Sequence, residues 1–445
     1  MIHESPQSTI LTPSSSSLQA RQDPLMASPS QEDYTRTLLS APPPRPSPRR
    51  TPSLLLLLTF ISFFSSLAFP LLFLSSSSTT QSLARCSLSV LRRPTVILIS
   101  VDGFRYGYQF KCPTPNIHHL ISNGTEAVPG LVPVFPTLTF PNHYSIVTGL
   151  YPESHGIINN FFIDPISCDA FSKRRHEPRW WLGEPLWETV SNQGFKAAAY
   201  TGRLEVSKAV DDVLSYFDLP IDEIPSYVAL YFEELDSKGH EFAYDHPEIT
   251  KAVARIDTMI GRLIASLESR GIFEDVSIIL VGDHGMVGTC DQRLIFLDDL
   301  SPWIKIPQNW VHCYSPLLAI QSPVNISVAA VVATLNQGLS SGKVENGQHL
   351  RVYMKEDLPE RDEGHKVVRK RPMSNVCGGD HGYDNALLSM RSIFVAHGPQ
   401  FERGRKVQPF ENVQIYNLIT SILGLKGVPN NVFSTFPDYI LLSDN

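Results

Sequence analysis

From about residue 95 onward, the sequence alternates short apolar runs with amphipathic stretches, and this alternation limits the possible folds more than any other feature. A strand buried on both faces of a parallel sheet is a continuous apolar run, whereas a helix repeats its apolar residues every three or four positions. The stretch Pro247–Arg270 shows the helical repeat, with proline at its start and Gly271 after its end. We predict buried strands at Thr95–Ser100, Tyr227–Phe232, Val276–Val281 and Ser392–Ala396. This order predicts an α/β fold with a mostly parallel central sheet flanked by helices.

The first 94 residues differ in composition from the rest of the chain. Residues 1–53 are rich in serine and proline, which predicts a disordered cytosolic tail. Residues 54–74 contain no charged residue and, as a helix, would span about 31 Å. We predict a transmembrane signal anchor there, a linker at 75–94 and a folded domain at 95–445 that is luminal or extracellular. A buried core helix and a cleaved signal peptide are the alternatives for the apolar run.

The sequence after that run is consistent with the secretory pathway. Asn123-Gly-Thr and Asn325-Ile-Ser are glycosylation sequons. All six cysteines follow the run and permit up to three disulfides, although buried free thiols remain an alternative for some of them. The net charge of −7 argues against a nucleic-acid scaffold, which is usually basic. An anionic small substrate would therefore need local positive charge, which bound cations could supply.

Three acidic residues are predicted to meet at one edge of the sheet. Asp102 and Asp283 follow the first and third predicted strands after one intervening residue, and Asp236 lies four residues past the second. Ligands of such sheets collect beyond the carboxyl ends of the strands. One aspartate after a strand is usually a cap or turn residue. Three at one edge, two of them with a histidine nearby, favour a metal site.

Two glycine-containing segments carry the histidines next to these aspartates. In Asp-Ser-Lys-Gly-His, we expect the glycine to allow a tight turn that brings Asp236 and His240 to one ion. In Gly-Asp-His-Gly, we expect the two glycines to permit the sharp turn that Asp283 and His284 need to reach one ion. Mixed carboxylate and imidazole ligands are typical of catalytic zinc.

Thr139 is the candidate nucleophile. It precedes Phe140-Pro141, and proline is favoured in the first turn of a helix, so we expect Thr139 to cap a helix that runs into residues 144–150. The positive end of the helix and a coordinating cation would then favour the alkoxide. Taken alone, a threonine here has the simpler interpretation of a helix cap.

With these motifs, the chain resembles the nucleotide pyrophosphatase/phosphodiesterase family of the alkaline phosphatase superfamily, and it is most similar to plant members. The resemblance covers about residues 95–440 and includes a nearly continuous match at 140–157. It implies an alkaline phosphatase-like fold and two zinc ions. One zinc would be held by Asp236, His240 and His381, and the other by Asp102, Asp283, His284 and the Thr139 hydroxyl.

The same resemblance implies a reaction. Nucleotides or nucleotide sugars would be hydrolysed at phosphodiester or pyrophosphate bonds through a threonyl-phosphate intermediate, which yields nucleoside 5′-monophosphates. Asn160 occupies the position that helps to bind a phosphate oxygen. Phe140 occupies that of a ring that stacks on the nucleobase, although a core aromatic is an equal alternative. The implied partners are a small nucleotide substrate and, through residues 54–74, a membrane; no oligomeric state is predicted.

The chain departs from the family pattern in two places. A segment that family members carry after Ala197–Tyr200 has no counterpart here, and a shorter gap falls near Glu360. No metal ligand is lost, but one wall of the nucleotide pocket is. This loss leaves one alternative open, a catalytically impaired relative that acts as a binding or structural membrane glycoprotein. Among enzymes, the alternatives are a phosphomonoesterase and a lipid-headgroup phosphodiesterase with the same metal core.

Overall fold

The predicted apolar runs form neighbouring strands in the computed structural model, which describes residues 91–164, 166–200, 206–289, 294–315, 317–359, 367–369 and 378–443. Its strands are β1 (Thr95–Val101), β2 (Gly124–Ala127), β3 (Phe161–Ile163), β4 (Ala170–Ser172), β5 (Ala197–Tyr200), β6 (Tyr227–Phe232), β7 (Val276–Gly282), β8 (Val287–Gly288), β9 (Leu294–Phe296), β10 (Val311–Cys313), β11 (Ala319–Ile320), β12 (Val367–Arg369), β13 (Gly379–Asp380), β14 (Phe394–His397) and β15 (Arg405–Val407). Its helices are α1 (Pro115–Ser122), α2 (Thr139–Thr148), α3 (Pro152–His155), α4 (Leu186–Asn192), α5 (Val206–Ser215), α6 (Glu234–Phe242), α7 (Pro247–Ser269), α8 (Val328–Leu339), α9 (Gln414–Ile422) and α10 (Phe436–Ile440).

A seven-stranded sheet has the order β15, β2, β14, β7, β1, β6 and β5. Strand β1 pairs in parallel with both β6 and β7, and β5 pairs in parallel with β6. Strand β14 is antiparallel to both of its neighbours, β2 and β7, while β15 is parallel to β2. Only β14 therefore runs against the common direction. The prediction of a mostly parallel sheet is confirmed, and the fourth predicted strand is its antiparallel member.

The predicted long helix is also confirmed, as α7. Its apolar face is buried, and the chain turns after Arg270 at Gly271, which has a φ of +69°. Such a left-handed conformation costs glycine little because it has no Cβ.

Helices cover both faces of the sheet because successive strand residues point to opposite sides. From β1, Ile97 and Ile99 pack with helices α1, α5 and α7, whereas Val96 and Leu98 pack with α2, α4 and α9. A third, smaller core lies within residues 294–359, around Leu300 and Leu335. This two-sided covering leaves the carboxyl ends of the parallel strands as the place where polar side chains can converge.

Several predictions fall outside the described residues: the tail at 1–53, the anchor at 54–74, the linker up to residue 90, and parts of both departures from the family pattern, 201–205 and 360–366. Among the helices that the structure describes, none combines the length and the apolar character needed to cross a membrane. Cys112, Cys168 and Cys313 form no disulfide, and the other three cysteines are not among the described residues.

The two predicted glycosylation sites differ in exposure. Asn325 is exposed. Asn123 is half-buried, and its side-chain nitrogen donates to the carbonyl oxygen of His119 at 3.0 Å. Thr125, the third residue of the same sequon, is buried in β2. Asn325 is therefore the more accessible acceptor in the folded chain.

Candidate active site

The ends of β1, β6 and β7 bring the three predicted aspartates to one edge of the sheet. In the sheet register, Val101 of β1 pairs with Phe232 of β6 on one side and with Gly282 of β7 on the other. Asp102 and Asp283 therefore leave adjacent strands at the same height, and both side chains are buried. Asp236 arrives from the first turn of α6, which follows β6 after one residue. The structure thus brings the three carboxylates together, as the strand order predicts.

Asp236, His240 and His381 form one group, with ligand atoms within 4.8 Å of one another. Asp236 Oδ1 lies 3.4 Å from Nε2 of His240 and 3.4 Å from Nε2 of His381. The two histidine Nε2 atoms are 3.2 Å apart. This is the ligand set that the family resemblance assigns to one zinc.

The expected tight turn between Asp236 and His240 is wrong. Both residues lie within α6, where side chains four residues apart share one face, so the helix itself brings them together. Gly239 has a different role from the expected one: a Cβ there would lie 2.6 Å from Cε of Met286. The glycine leaves room for that methionine beneath the site.

Asp102, Asp283 and His284 form the second group. Nε2 of His284 lies 3.2 Å from Asp102 Oδ1, 3.2 Å from Asp283 Oδ2 and 3.4 Å from Thr139 Oγ1. The ligand atoms of Asp102, His284 and Asp236 are also within 4.8 Å of one another, so Asp236 belongs to both groups. The seven predicted ligand residues therefore form one continuous cluster of side chains.

The glycines beside Asp283 and His284 do not make the expected turn. Neither Gly282 nor Gly285 has a positive φ. A Cβ on Gly282 would lie 2.7 Å from the Phe104 carbonyl oxygen, and one on Gly285 would lie 1.9 Å from that of Ser389. These glycines are required because other backbone segments pass close to them, and the approach of those segments shapes the cluster.

The three histidines are oriented by backbone carbonyl groups. In His240, Nδ1 lies 2.9 Å from the Gly379 carbonyl oxygen. In His284 it lies 2.9 Å from that of Gly285, and in His381 it lies 2.8 Å from that of Thr137. Because a carbonyl oxygen only accepts, Nδ1 carries a hydrogen in each ring, and Nε2 is the nitrogen that faces the carboxylates. Such contacts to the second nitrogen are usual for histidines that bind metal ions.

The carboxylates have oxygen atoms that the described residues do not satisfy. Asp102 Oδ1, Asp236 Oδ1 and Asp283 Oδ2 are buried and accept no hydrogen bond of good geometry, although histidine nitrogens lie 3.2–3.4 Å away. Leaving buried carboxylate oxygens unpaired is costly. Divalent cations would satisfy these oxygens, and carboxylate with imidazole is a ligand set that suits zinc. The residues present therefore fit a metal centre.

Burial and neighbouring charges shift the pKa values of these side chains in different directions. Burial and the neighbouring Asp102 carboxylate raise the pKa of Asp236 to about 7. Burial opposes the charged forms of Asp102 and His284, but their mutual attraction prevails: it holds the pKa of Asp102 below its usual value and, with Asp283, raises that of His284. Burial and the nearby His284 lower the pKa of His381. Without a cation, the cluster therefore retains protons near neutral pH.

Thr139 does not cap α2. The helix begins at Thr139 itself, and the N-cap residue is Leu138, which provides no side-chain hydrogen bond. Because its hydroxyl is not used as a cap, Thr139 can present Oγ1 to the cluster, 3.4 Å from Nε2 of His284. The predicted cap is wrong, and the candidate nucleophile lies beside the candidate metal ligands.

Asn160 and Phe140 lie beside Thr139. The Phe140 backbone N–H donates to Asn160 Oδ1 at 2.9 Å, which leaves the Asn160 amide group as a donor. The Phe140 ring is half-buried, with its centroid 6.0 Å from the Trp181 ring and 5.8 Å from Lys173 Nζ. The ring thus both packs on the core and borders the site.

Two side chains that contact the aspartates were missed by the sequence analysis. His143 Nδ1 lies 3.3 Å from Asp283 Oδ2, and the Tyr231 hydroxyl donates to Asp102 Oδ2. Burial opposes the charged form of His143, but Asp283 raises its pKa. His143 could have been found from its spacing, because it follows Thr139 by four residues and so shares its helical face.

Most of the described chain matches a known family model. A model of the type I phosphodiesterase/nucleotide pyrophosphatase family matches residues 96–208 and 199–384. The match is divided at 199–208, where the sequence departs from the family pattern after β5.

Comparison with individual proteins gives the same family. The chain is 34% identical over 386 residues to an uncharacterised pyrophosphatase/phosphodiesterase of Schizosaccharomyces pombe, covering 76% of this chain and 78% of the relative. It is 35% identical over 384 residues to ectonucleotide pyrophosphatase/phosphodiesterase family member 3 of Bos taurus, and 35% identical over 405 residues to a venom phosphodiesterase of Macrovipera lebetinus. These alignments cover 76% and 80% of this chain but only 43% and 46% of the animal proteins.

Proposed function

Because the chain belongs to the type I phosphodiesterase/nucleotide pyrophosphatase family, we propose that it hydrolyses phosphodiester and pyrophosphate bonds in nucleotides or nucleotide sugars, releasing nucleoside 5′-monophosphates. The observation that carries this proposal is the set of three buried aspartate oxygens without donors, facing three histidine Nε2 atoms and the Thr139 hydroxyl. Perturbed titratable groups gathered with a candidate nucleophile are characteristic of catalytic sites.

The donor set suits two zinc ions. One would be held by Asp236, His240 and His381, and the other by Asp102, Asp283, His284 and Thr139. When bound, the ions would supply Lewis-acid chemistry, which withdraws charge from phosphate oxygens and lowers the pKa of water.

The chain's own residues would carry out a two-step displacement. Thr139 Oγ would lose its proton to solvent and attack phosphorus, forming the threonyl-phosphate bond as the bond to the leaving group breaks. The leaving group would depart as the phosphate anion or, for an alcohol, take a proton from water. The N-terminus of α2 favours negative charge at Thr139, its first residue. The amide group of Asn160, oriented by its bond to the Phe140 N–H, would donate to a phosphate oxygen. Water would then cleave the threonyl phosphate and return the threonine hydroxyl.

We further propose that residues 54–74 anchor the protein in a membrane of the secretory pathway, with the catalytic domain at 95–445 outside the cytosol. The uncharged run, the sequons and the position of the six cysteines support this arrangement. Exposure of Asn325 is consistent with glycosylation there.

A second candidate function is that of a shortened relative with little catalysis, acting as a binding or structural membrane glycoprotein. The division of the family match at 199–208 favours this alternative. The alignment with the yeast relative agrees, because it spans 386 positions yet covers only 76% of the 445 residues, so the relative has residues that this chain lacks. The complete ligand set favours the enzyme.

The deciding experiment measures nitrophenol release from the p-nitrophenyl ester of thymidine 5′-monophosphate by the full-length chain. We expect activity with zinc, loss with a chelator, and a loss of at least about 1,000-fold in Thr139→Ala, because the covalent step requires the hydroxyl. The matched control is Thr148→Ala at the other end of α2, since the Thr148 hydroxyl contacts only backbone groups away from the proposed ligands: it donates to the Tyr144 carbonyl oxygen and accepts the Leu150 N–H. Bound zinc without turnover in the folded wild-type protein would instead support the non-catalytic alternative.

A further inference from the structure

His143 occupies the space between the candidate nucleophile and one of the proposed metal ligands. It lies one helical turn after Thr139 in α2, beside the ends of β1 and β7. We propose that His143 is a positioning residue, which fixes the backbone of Thr139 relative to the carboxylate of Asp283. This inference rests on the proposed function, because it concerns the same reaction.

The Nδ1 atom of His143 faces two acceptors. It lies 2.9 Å from the Thr139 carbonyl oxygen, to which it is hydrogen-bonded, and 3.3 Å from Asp283 Oδ2. Because neither acceptor can donate, Nδ1 carries a hydrogen whether the ring is neutral or charged. The N–H is directed at the carbonyl group, so its attraction to Asp283 Oδ2 is electrostatic and leaves that oxygen available to a cation.

The rest of the ring is fixed from two sides. Its Nε2 atom lies 2.8 Å from the hydroxyl oxygen of Ser100, in β1. The Tyr231 ring meets it edge-on, with a centroid separation of 5.2 Å and an interplanar angle of 82°. These contacts keep Nδ1 directed at the two acceptors.

Asp283 is held from the opposite side by the backbone. Its Oδ1 atom accepts the Gly103 N–H at 2.9 Å, while Oδ2 faces the ring of His143. Loss of the Nδ1 hydrogen would remove the attraction of His143 for Oδ2 and leave this carboxylate with the Gly103 N–H at Oδ1 and the His284 ring beside Oδ2. Side chains that orient metal ligands typically affect metal affinity or activity by about 10- to 100-fold.

Another histidine separates this role from simple stabilisation of a helix. His118 in α1 makes the same contact four residues back, with Nδ1 2.9 Å from the Thr114 carbonyl oxygen. His118 is exposed, and no residue proposed to bind metal is among its partners in the described residues. Substitution of His118 therefore removes a histidine–carbonyl contact within a helix, as substitution of His143 does, but it removes no contact to a proposed metal ligand.

Three substitutions of His143 in the full-length chain test the proposal. In His143→Asn, the side-chain amide nitrogen can occupy the position of Nδ1. In His143→Gln, it can reach only the position of Nε2. His143→Leu has neither nitrogen but a similar volume. For each variant we would measure Co²⁺ affinity by chelator competition, the visible absorption spectrum of the Co²⁺ form, and kcat and KM with the nitrophenyl ester.

We expect the leucine and glutamine variants to bind Co²⁺ about 10- to 100-fold more weakly, with an altered spectrum and a lower kcat at similar KM. The asparagine variant should stay within a few-fold of the wild type, and His118→Leu should leave all three readouts unchanged. A leucine variant with wild-type affinity, spectrum and kcat would overturn the proposal. So would rescue by glutamine but not by asparagine. If the leucine variant does not fold, the asparagine and glutamine variants still decide.

Failure of this inference is distinguishable from failure of the proposed function. Wild-type protein that binds no Co²⁺ or zinc and does not cleave the ester would remove the proposed function, and the role of His143 with it. Wild-type protein that binds and cleaves, together with unaffected His143 variants, would remove only the positioning role.

Discussion

At the scale of single residues, the site depends on which atom of each side chain is already occupied. The three histidines of the cluster each use Nδ1 on a backbone carbonyl group, which leaves Nε2 for a cation. Thr139 is the first residue of α2 and not its cap, which leaves its hydroxyl for chemistry. Sequence motifs identify these residues, but they do not show which atoms remain available.

The titration of Asp236 predicts how metal affinity changes with pH. In the metal-free protein, burial and Asp102 raise its pKa to about 7, so a cation must displace a proton below that pH. We expect zinc affinity to rise as the pH increases through about 7. The same shift means that metal-free folded protein holds this proton more tightly than unfolded protein, so this contribution to stability is present at low pH and is lost as the pH rises through about 7.

Chelator competition between about pH 5.5 and about pH 8.5 would measure this dependence. Asp236→Asn should bind zinc more weakly and show a smaller change with pH. Asp218→Asn is the control, since Asp218 pairs with Arg270 at the surface. A zinc affinity that does not change over this range would contradict the prediction.

At the scale of elements, the site exists because backbone segments approach closely. A Cβ on Gly285 would lie 1.9 Å from the carbonyl oxygen of Ser389. A Cβ on Gly379 would lie 2.4 Å from the carbonyl oxygen of Gly239. The absence of a Cβ at these positions lets the loop after β7 and strand β13 approach neighbouring backbone segments closely. The proposed ligands Asp283 and His284 lie on that loop, and the proposed ligand His381 directly follows β13.

We predict that Gly285→Ala destabilises the protein by at least about 2 kcal/mol, because the added methyl group must displace a backbone segment. Gly288→Ala is a matched control three residues along, where a Cβ would meet its nearest neighbour at 3.6 Å. Denaturant unfolding of both variants would measure the difference. Equal stability of the two variants would show that the segment beside Gly285 can yield without cost.

At the scale of the whole molecule, the proposed ligands join parts of the chain that are distant in sequence. They come from the end of β1, the start of α2, the first and last turns of α6, the loop after β7 and the residue after β13. A cation bound to these groups would connect both faces of the sheet through its carboxyl edge. Metal binding should therefore stabilise the fold as a unit.

We expect zinc at about 100 times its dissociation constant to stabilise the protein by about 2.7 kcal/mol, and chelator to reverse this gain. Thermal unfolding with and without zinc would measure it as a rise of a few degrees. Asp236→Asn should lose most of the rise, because Asp236 belongs to both ligand groups. Thr148→Ala should retain it in full. An unfolding temperature independent of zinc would argue against a metal centre in this cluster.

The sequence by itself determined the strands β1, β6 and β7, the helix α7 and the convergence of Asp102, Asp236 and Asp283. Apolar periodicity is local, and the carboxyl ends of parallel strands necessarily share one edge. Tertiary structure alone decided the roles of Gly239, Gly282 and Gly285, since a glycine needed for close approach is indistinguishable in sequence from one needed for a turn. It also decided the contacts of His143 and Tyr231, because those contacts join α2, β1, β6 and β7 across the sheet edge, and no local pattern records which distant side chains will meet.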